Sequence, residues 1–388
     1  MKSYDVVVVG SGPAGAISAA YLAKAGYAVA IVDKSRFPRH KTCGDFIPSF
    51  AFAFLQEWDF WSKIPRQDRY AVKSAAISYF DKMVPRIRFT SENPEAISAI
   101  ISRYYFDNAL FETAVEQGAA FLHGQAVGLV RSGDAVVGVQ VASAQGHMEI
   151  AGRVVIAADG SNSKLASLLN PRPEHRVGRA IAIRAYIDDF AVQSHTVEAF
   201  FRKEFWPGYA WIFPLSETKV NIGLGYMDTK RCQHANLKHV FKEFLNSSFI
   251  SGRMGKSARI LDMRAKLLNL GFDRHYPRAF NGALLVGDAA DLVNPLTGGG
   301  ICNAMISGKL AAETTIKALS VNDVSQKALS EYETKLAAIT QRDYLYSEYL
   351  ARFFYAAPHG VIRLLSLTFK KGPLPLILKR MYPDLHIS

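Results

Sequence analysis
Near the start of the 388-residue chain, Gly10-Ser11-Gly12-Pro13-Ala14-Gly15 has the residue types and spacing to hold a pyrophosphate. Gly10 permits a tight turn, Gly12 lets phosphate oxygens approach the backbone, and Gly15 lets the following helix touch the preceding strand. Pro13 and Ala14 lie where that helix starts, so its free N–H groups and positive dipole end face an anion. Asp33 stands about 20 residues further on, where a carboxylate can accept the ribose hydroxyls of an adenosine, and Lys34 follows it. The elements that must position these groups are readable around them. Residues 6–9 form an apolar run suited to a buried parallel strand, 14–25 a small-residue helix, and 28–32 a second strand ending at the acid. The order strand, fingerprint, helix, strand, acid argues against a glycine-rich turn that binds nothing.

Two later apolar runs end in a similar way. Residues 154–158 lead into Asp159-Gly160-Ser161-Asn162-Ser163, and residues 284–286 into Gly287-Asp288-Ala289-Ala290. Together with the first fingerprint, these spaced motifs resemble the p-hydroxybenzoate hydroxylase-like superfamily of FAD-dependent oxidoreductases over most of residues 1–320. The resemblance implies FAD as cofactor, with Asp288 on its ribityl chain, Asp159 near its pyrophosphate and Arg103 close by. Pro295-Leu296-Thr297-Gly298-Gly299-Gly300 then has a chemical reading. Small residues let backbone amides reach a flat ring system, and the helix expected from Ile301 aims its positive end at the same place. Amides so placed stabilise negative charge on a reduced flavin.

A narrower resemblance lies in Tyr209-Ala210-Trp211-Ile212-Phe213-Pro214, followed by Gly223-Leu224-Gly225. This is similar to the YxWxFP…GxG signature of the geranylgeranyl reductase family. Lys41-Thr42-Cys43-Gly44-Asp45 resembles that family's KxCG loop, and residues 294–300 its NPLTGxG loop. Family members use reduced FAD to saturate carbon–carbon double bonds of prenyl chains on lipids, chlorophyll precursors or quinones. Carried over, Cys43, Tyr209 and Trp211 are the candidate catalytic residues and Phe213 lines a pocket for a hydrophobic or aromatic substrate, with Phe46, this chain's own departure from the family, reshaping that pocket. The electron donor implied is NAD(P)H or a reduced ferredoxin, since there is no second nucleotide fingerprint. After Asp45 the chain departs from the family loop, continuing Phe46-Ile47-Pro48-Ser49. Two other readings stay open. One is an oxygen-using hydroxylase or halogenase, or a flavoprotein that oxidises a protein-bound Trp; Tyr209 and Phe213 argue against the halogenase WxWxIP segment. The other is a non-catalytic FAD protein that passes electrons to a partner.

The fold class expected is α/β: a Rossmann-like FAD-binding domain with an inserted β-sheet substrate domain and a C-terminal helical region. The discontinuous FAD-binding domain would comprise residues 1–70, 95–170 and 272–340, the substrate domain 71–94 and 171–271, and a basic, apolar C-terminal region 341–388. Helices are expected over 50–64, 97–117, 237–245, 301–319 and 326–355. A hydrophobic content of 49% with 21% charged residues describes a folded chain. The 46 Lys and Arg against 34 Asp and Glu leave a net charge of +12, but no run of five or more like charges and no nucleic-acid motif accompany it. Six Lys or Arg beyond residue 349, interleaved with Phe and Leu, suit an interfacial segment on an anionic membrane surface, a greasy entry lid, or an amphipathic helix packed on the domain. Cys43, Cys232 and Cys302 form no CxxC pair, so neither a disulfide framework nor a metal site is expected. The absence of a signal-peptide pattern and of a long apolar run points to a cytoplasmic protein, peripheral to the membrane.

Overall fold
The computed structural model describes residues 2–53, 55–79, 82–83, 87–89, 98–171, 178–227, 236–271, 273, 275–356 and 385–387. The basic and apolar positions expected at 363–380 lie outside these residues, as does Cys232.

Val6, Val7 and Val8 are fully buried, because the strand Lys2–Val9 runs between two parallel neighbours and is covered on both faces. Its neighbours are Val29–Asp33 on one side and Gly146–Ala157 on the other. Ala120–His123 extends the sheet beyond Val29–Asp33, and the antiparallel strands Ala135–Ser143 and Gln125–Ser132 complete the opposite edge. The short strand Ala283–Leu285 joins Gly146–Ala157 in parallel. The sheet therefore brings three carboxyl ends side by side, at Val9, Ala157 and Leu285. Each is followed by one of the glycine-and-acid turns, and ligands of open α/β sheets bind outside such strand ends.

Two helices cover this crevice. Pro13–Lys24 and Ile301–Ser320 pack so closely that a Cβ on Gly308 would lie 2.3 Å from the Ala14 carbonyl oxygen. Ser18 Oγ donates to the carbonyls of Ala14 (2.9 Å) and Gly308 (3.0 Å), so the contact is also hydrogen-bonded.

A second sheet runs Met254–Leu270, Gly178–Phe190, Lys219–Met227, Gly208–Pro214, Thr196–Phe201, Ser74–Tyr79, Ile87–Phe89, Leu385–Ile387, with Lys82–Met83 paired off this path to Ser74–Tyr79. Side chains alternate between its faces. Ile183, Ala185, Ala210, Ile212, Val220, Ile222 and Leu224 point one way and form a separate core with Phe241, Phe244 and Leu245 of the helix Leu237–Asn246. The intervening residues, including Arg184, Tyr186, Tyr209, Trp211, Phe213 and Asn221, are left for the opposite face. A third, small sheet of Phe46–Ile47, Ala99–Ile100 and Tyr70–Ala71 pins the loop after Asp45.

Three expected helices differ. Residues 50–64 form a short helix Ser49–Ala53 and a 3₁₀ turn Trp61–Lys63, because Phe52, Trp58 and Phe60 bury in directions that one helical stripe does not offer. The 97–117 helix starts only at Arg103, capped by Ser102 Oγ, since Ala99–Ile100 is spent as the middle strand of the small sheet. The 326–355 segment breaks at Ser330 into Gln326–Leu329 and Glu331–Ala356. Among the described residues no helix is long and apolar enough to cross a membrane.

Candidate active site
At the phosphate end, a Cβ on Gly15 would lie 1.8 Å from the Gly10 carbonyl oxygen, so only glycine allows the helix to start against that turn. Above Gly12 stand two cations: a Cβ there would be 3.8 Å from Arg39 Nη2 and 4.0 Å from Lys41 Nζ. Arg103 and Arg39 share the buried carboxylate of Asp107. Arg103 holds it through two hydrogen bonds of 2.5 and 2.7 Å, and Arg39 approaches to 3.0 Å. Lys266 Nζ reaches over Gly160, and Asp288 takes a hydrogen bond from Ser161 Oγ (3.0 Å).

The cations outnumber their local counter-charges. Burial, followed by repulsion from Arg103, pushes Lys41 down to about 8, with Asp288 and Asp107 restoring only part. Lys266 is lowered by burial and by Arg103, Arg39 and Lys34 in the same way. Burial alone would raise the Asp288 carboxyl, but Lys41 and Lys266 outweigh it and hold it below the usual carboxylate range. A diphosphate over Gly12 supplies the negative charge this cluster is short of, and the residues present therefore fit a dinucleotide.

Asp33 Oδ2 accepts from the backbone N–H (2.8 Å) and hydroxyl (3.0 Å) of Ser11, and Oδ1 accepts from Ser35 N–H (2.8 Å). It thereby ties the glycine turn to the second strand, with exposed Lys34 beside it. Asp159 is committed to the start of the helix Lys164–Leu169, accepting from Ser163 Oγ (2.5 Å) and from the N–H groups of Lys164 and Leu165. That places its carboxylate on the helix start.

The expected ring-binding loop is ordered by one side chain. Asn294 Oδ1 accepts from Leu296 and Thr297 N–H (2.9 and 3.0 Å), while its amide donates to Ser347 Oγ (2.9 Å) on the Glu331–Ala356 helix. Pro295 is buried; Gly298, at φ +68°, and Gly299 are exposed. Gly300 caps the Ile301–Ser320 helix with no side-chain partner, so the first N–H groups of that helix carry no intrachain side-chain cap. Gly287 N–H is bound by Ser307 Oγ (2.9 Å).

Facing this loop is the aromatic row of the second sheet. Tyr209, Trp211 and Phe213 follow one another at centroid distances of 6.0 and 6.2 Å, and Phe46 adds to the row 6.1 Å from Phe213. Tyr209 Oη donates to the Thr297 carbonyl (2.7 Å), which joins the row to the glycine loop and engages the Tyr209 hydroxyl proton. The Trp211 indole lies on Gly223, where a Cβ would be 2.3 Å from Cζ2. The loop carrying Cys43 sits on the same wall, since a Cβ on Gly44 would be 2.9 Å from Phe213 Cε2.

Sequence reasoning passed over several residues that the fold brings here. Asp45 is fully buried at φ +64°, accepting at Oδ2 from Tyr186 Oη (2.7 Å) and Asn221 Nδ2 (2.8 Å). Asn221 Nδ2 also donates to the Cys43 carbonyl (2.7 Å), and its Oδ1 accepts from Trp211 Nε1 (3.0 Å). Buried Arg184 holds the Lys41 carbonyl and the Asp262 carboxylate (3.4 and 2.9 Å). Arg39, Lys41 and Lys266 were equally unmarked as ligands. The available signal was polar residues alternating with apolar ones at 184, 186 and 221, and the basic loop 36–43. Burial pushes the Cys43 thiol up, opposed by the Arg103 charge and reinforced by that of Asp45.

The comparisons with known proteins agree with this geometry. The family described as "FAD binding domain" matches residues 3–343. A digeranylgeranylglycerophospholipid reductase of Methanocaldococcus jannaschii is 31% identical over 340 residues, 86% of this chain and 82% of the relative. The chain belongs to the geranylgeranyl reductase family. A menaquinone reductase of Mycolicibacterium smegmatis is 34% identical over 331 residues, covering 80% of this chain and 75% of the relative. Among solved structures, a geranylgeranyl bacteriochlorophyll reductase-like protein of Thermoplasma acidophilum superposes with a TM-score of 0.83 at 25% identity, covering 96% of this chain and 92% of that one. A flavin-dependent brominase reaches 0.81 at 19% identity over 99% and 94%, a likeness of fold. As a geranylgeranyl reductase family member, the chain is an FAD-dependent oxidoreductase of α/β fold.

Proposed function
We propose that this chain reduces carbon–carbon double bonds of a prenyl chain carried by a lipid or quinone. The observation that carries the reading is the aromatic row Tyr209–Trp211–Phe213–Phe46 standing opposite the glycine loop 298–300 and bonded to it through Tyr209. Such a wall takes an extended apolar chain and keeps water away from it. Bound FAD supplies the hydride when reduced. Arg39, Lys41, Arg103 and Lys266 hold its diphosphate, Asp288 its ribityl chain, and the amides of 298–300 with the start of the Ile301–Ser320 helix face its ring. Cys43 presents a protonated thiol at the cleft, because burial and the Asp45 carboxylate both disfavour the thiolate. The first sheet, with its helices, acts as the cofactor unit and the second sheet as the substrate unit. Electrons come from NAD(P)H or a ferredoxin-like protein, and the lipid is drawn from a membrane surface.

The test is anaerobic. Protein reduced with dithionite is mixed with geranylgeranyl lipid, with menaquinone, and with an aromatic halogenase-type substrate, following the oxidised flavin spectrum and the product mass. Return of the spectrum with a product whose prenyl chain, not its quinone ring, is heavier by two hydrogens supports the reading; a prenyl chain left unchanged in every alkene overturns it.

A further inference from the structure
Phe213, Asn221 and Tyr186 stand opposite one another on three neighbouring strands, on the sheet face that carries the aromatic wall. Asn221, between the other two, is fully buried. Its amide offers an acceptor oxygen and two donor hydrogens, and all are engaged. Oδ1 accepts from Trp211 Nε1 (3.0 Å), while Nδ2 donates to the Cys43 carbonyl (2.7 Å) and to Asp45 Oδ2 (2.8 Å). A reversed amide would turn its hydrogens on the indole N–H and its oxygen on a carbonyl and a carboxylate. The network therefore admits one orientation. We propose that Asn221 is the positioning residue of the substrate cleft. It sets the gap between the Trp211 indole and the 43–45 loop, and so decides which double bond of a prenyl chain is presented for reduction. The assignment rests on the alkene-reducing function proposed above.

The two sides of that gap come from distant parts of the chain and meet at Gly44. A Cβ there would lie 2.9 Å from Phe213 Cε2 and 3.5 Å from Trp211 Nε1, so loop and wall are in contact. The loop is held at three places along its length. Arg184 binds the Lys41 carbonyl (3.4 Å) at one end. At the other, Asp45 Oδ2 accepts from Tyr186 Oη (2.7 Å) and the Asp45 carbonyl from Ile101 N–H (2.9 Å). Asn221 holds the middle, and it is the hold point shared with the wall.

Residue 221 has little chemical freedom. Asp would set a second carboxylate against Asp45 and the Cys43 carbonyl. Leu has the size but leaves a buried indole N–H and the Cys43 carbonyl short of a partner. The spacing matters because reacting atoms must come within about 3–3.5 Å, and a misplacement of about 1 Å costs about a hundredfold in rate. Double bonds of a prenyl chain recur once per isoprene unit, so a gap that shifts presents a different bond.

Three variants test the assignment. Asn221→Ala removes every bond of the amide, Trp211→Phe removes the one to the indole, and Gly44→Ala keeps the amide but lifts the loop off Phe213. Dithionite-reduced holoenzyme is mixed anaerobically with geranylgeranyl lipid, and fragmentation mass spectrometry locates the saturated bond. Asn221→Ala is expected to slow reoxidation about a hundredfold and to move the saturated bond along the chain. Gly44→Ala should move it as well. Adding Trp211→Phe to Asn221→Ala should cost nothing further, because both act through one bond. A structural role alone would lower Tm without moving the bond. A second readout needs no substrate: alkylation of Cys43 by iodoacetamide in oxidised holoenzyme, read on its peptide. Asn221→Ala should raise that rate about tenfold or more, the weight of two hydrogen bonds lost from the loop. Saturation of the wild-type bond by Asn221→Ala, or full additivity with Trp211→Phe, overturns the assignment. Should Asn221→Ala not fold, wild-type rate and bond position in both Trp211→Phe and Gly44→Ala overturn it. If wild-type protein saturates no prenyl chain, the substrate reading fails instead, and an unmoved Cys43 alkylation rate in Asn221→Ala overturns the clamp by itself.

Discussion
Lys41→Met separates the stability of the protein from its hold on the cofactor, because the two should move in opposite directions. In the flavin-free fold Lys41 loses its proton near pH 8, against 10.5 ordinarily, because it is buried and stands beside Arg103. Keeping it charged at pH 7 therefore costs about 3 kcal/mol of folding free energy. That penalty is fully present below pH 8, shrinks as pH rises, and is gone above 10.5, the pH at which the unfolded chain also deprotonates. Met preserves the apolar stem, and Arg184 grips the residue 41 carbonyl whatever the side chain. Flavin-free Lys41→Met should thus be more stable than wild type at pH 7, by up to about 3 kcal/mol in urea unfolding, with the gain vanishing by about pH 10. FAD binding should weaken by about 1.5–3 kcal/mol, ten- to hundredfold in Kd, for loss of one charge-assisted contact to phosphate. Wild-type affinity should also fall as pH rises through 8, a dependence absent from the variant. Urea melts and fluorescence titration with FAD read both quantities. Equal stability with unchanged affinity at pH 7 would refute the crowded-cation account of the phosphate site.

Trp211→Ala removes an indole that is buried against Gly223 and bonded to Asn221; thermal unfolding should show a loss of about 3 kcal/mol, and alkene-driven reoxidation should slow at least as much as in any other wall variant. Gly308→Ala inserts a methyl 2.3 Å from the Ala14 carbonyl oxygen, so the two helices over the crevice must part, at a cost of about 1–3 kcal/mol and with weaker FAD retention on gel filtration. An unaltered Tm would count against that packing. Glu198→Ala leaves Arg253 without the carboxylate that holds it at 2.7 and 3.0 Å on the face away from the cleft. It should cost about 3–5 kcal/mol in denaturant melts while the bound-flavin spectrum stays as in wild type.

The phosphate-binding end of the molecule is legible in one dimension, because its parts are local. A strand, three glycines and a helix start occupy fifteen consecutive residues, and the two later turns follow apolar runs that the sheet must hold beside the first. Arg39, Lys41, Lys266 and Arg184 are a different case. Nothing near Lys266 in the chain distinguishes it from its neighbours on a 17-residue edge strand; its position over Gly160 arises only when the second sheet closes on the first. Asp45 was hidden for another reason. Its partners Tyr186 and Asn221 come from strands over a hundred residues away. The helix expected over 97–117 lost its first turn to a sheet whose other strands lie near residues 46 and 70, a competition local periodicity does not register.

The alternation in the second sheet has a consequence for descent. Ala210 and Ile212 carry the folding burden of their strand, while Tyr209, Trp211 and Phe213 carry none of that helix-facing core. Every other letter can therefore change while the helix-facing core keeps its packing, at a cost in stability where, as at Trp211, the ring is itself buried. A lineage can trade one greasy guest for another by editing a handful of outward rings, and the same scaffold survives the change of diet.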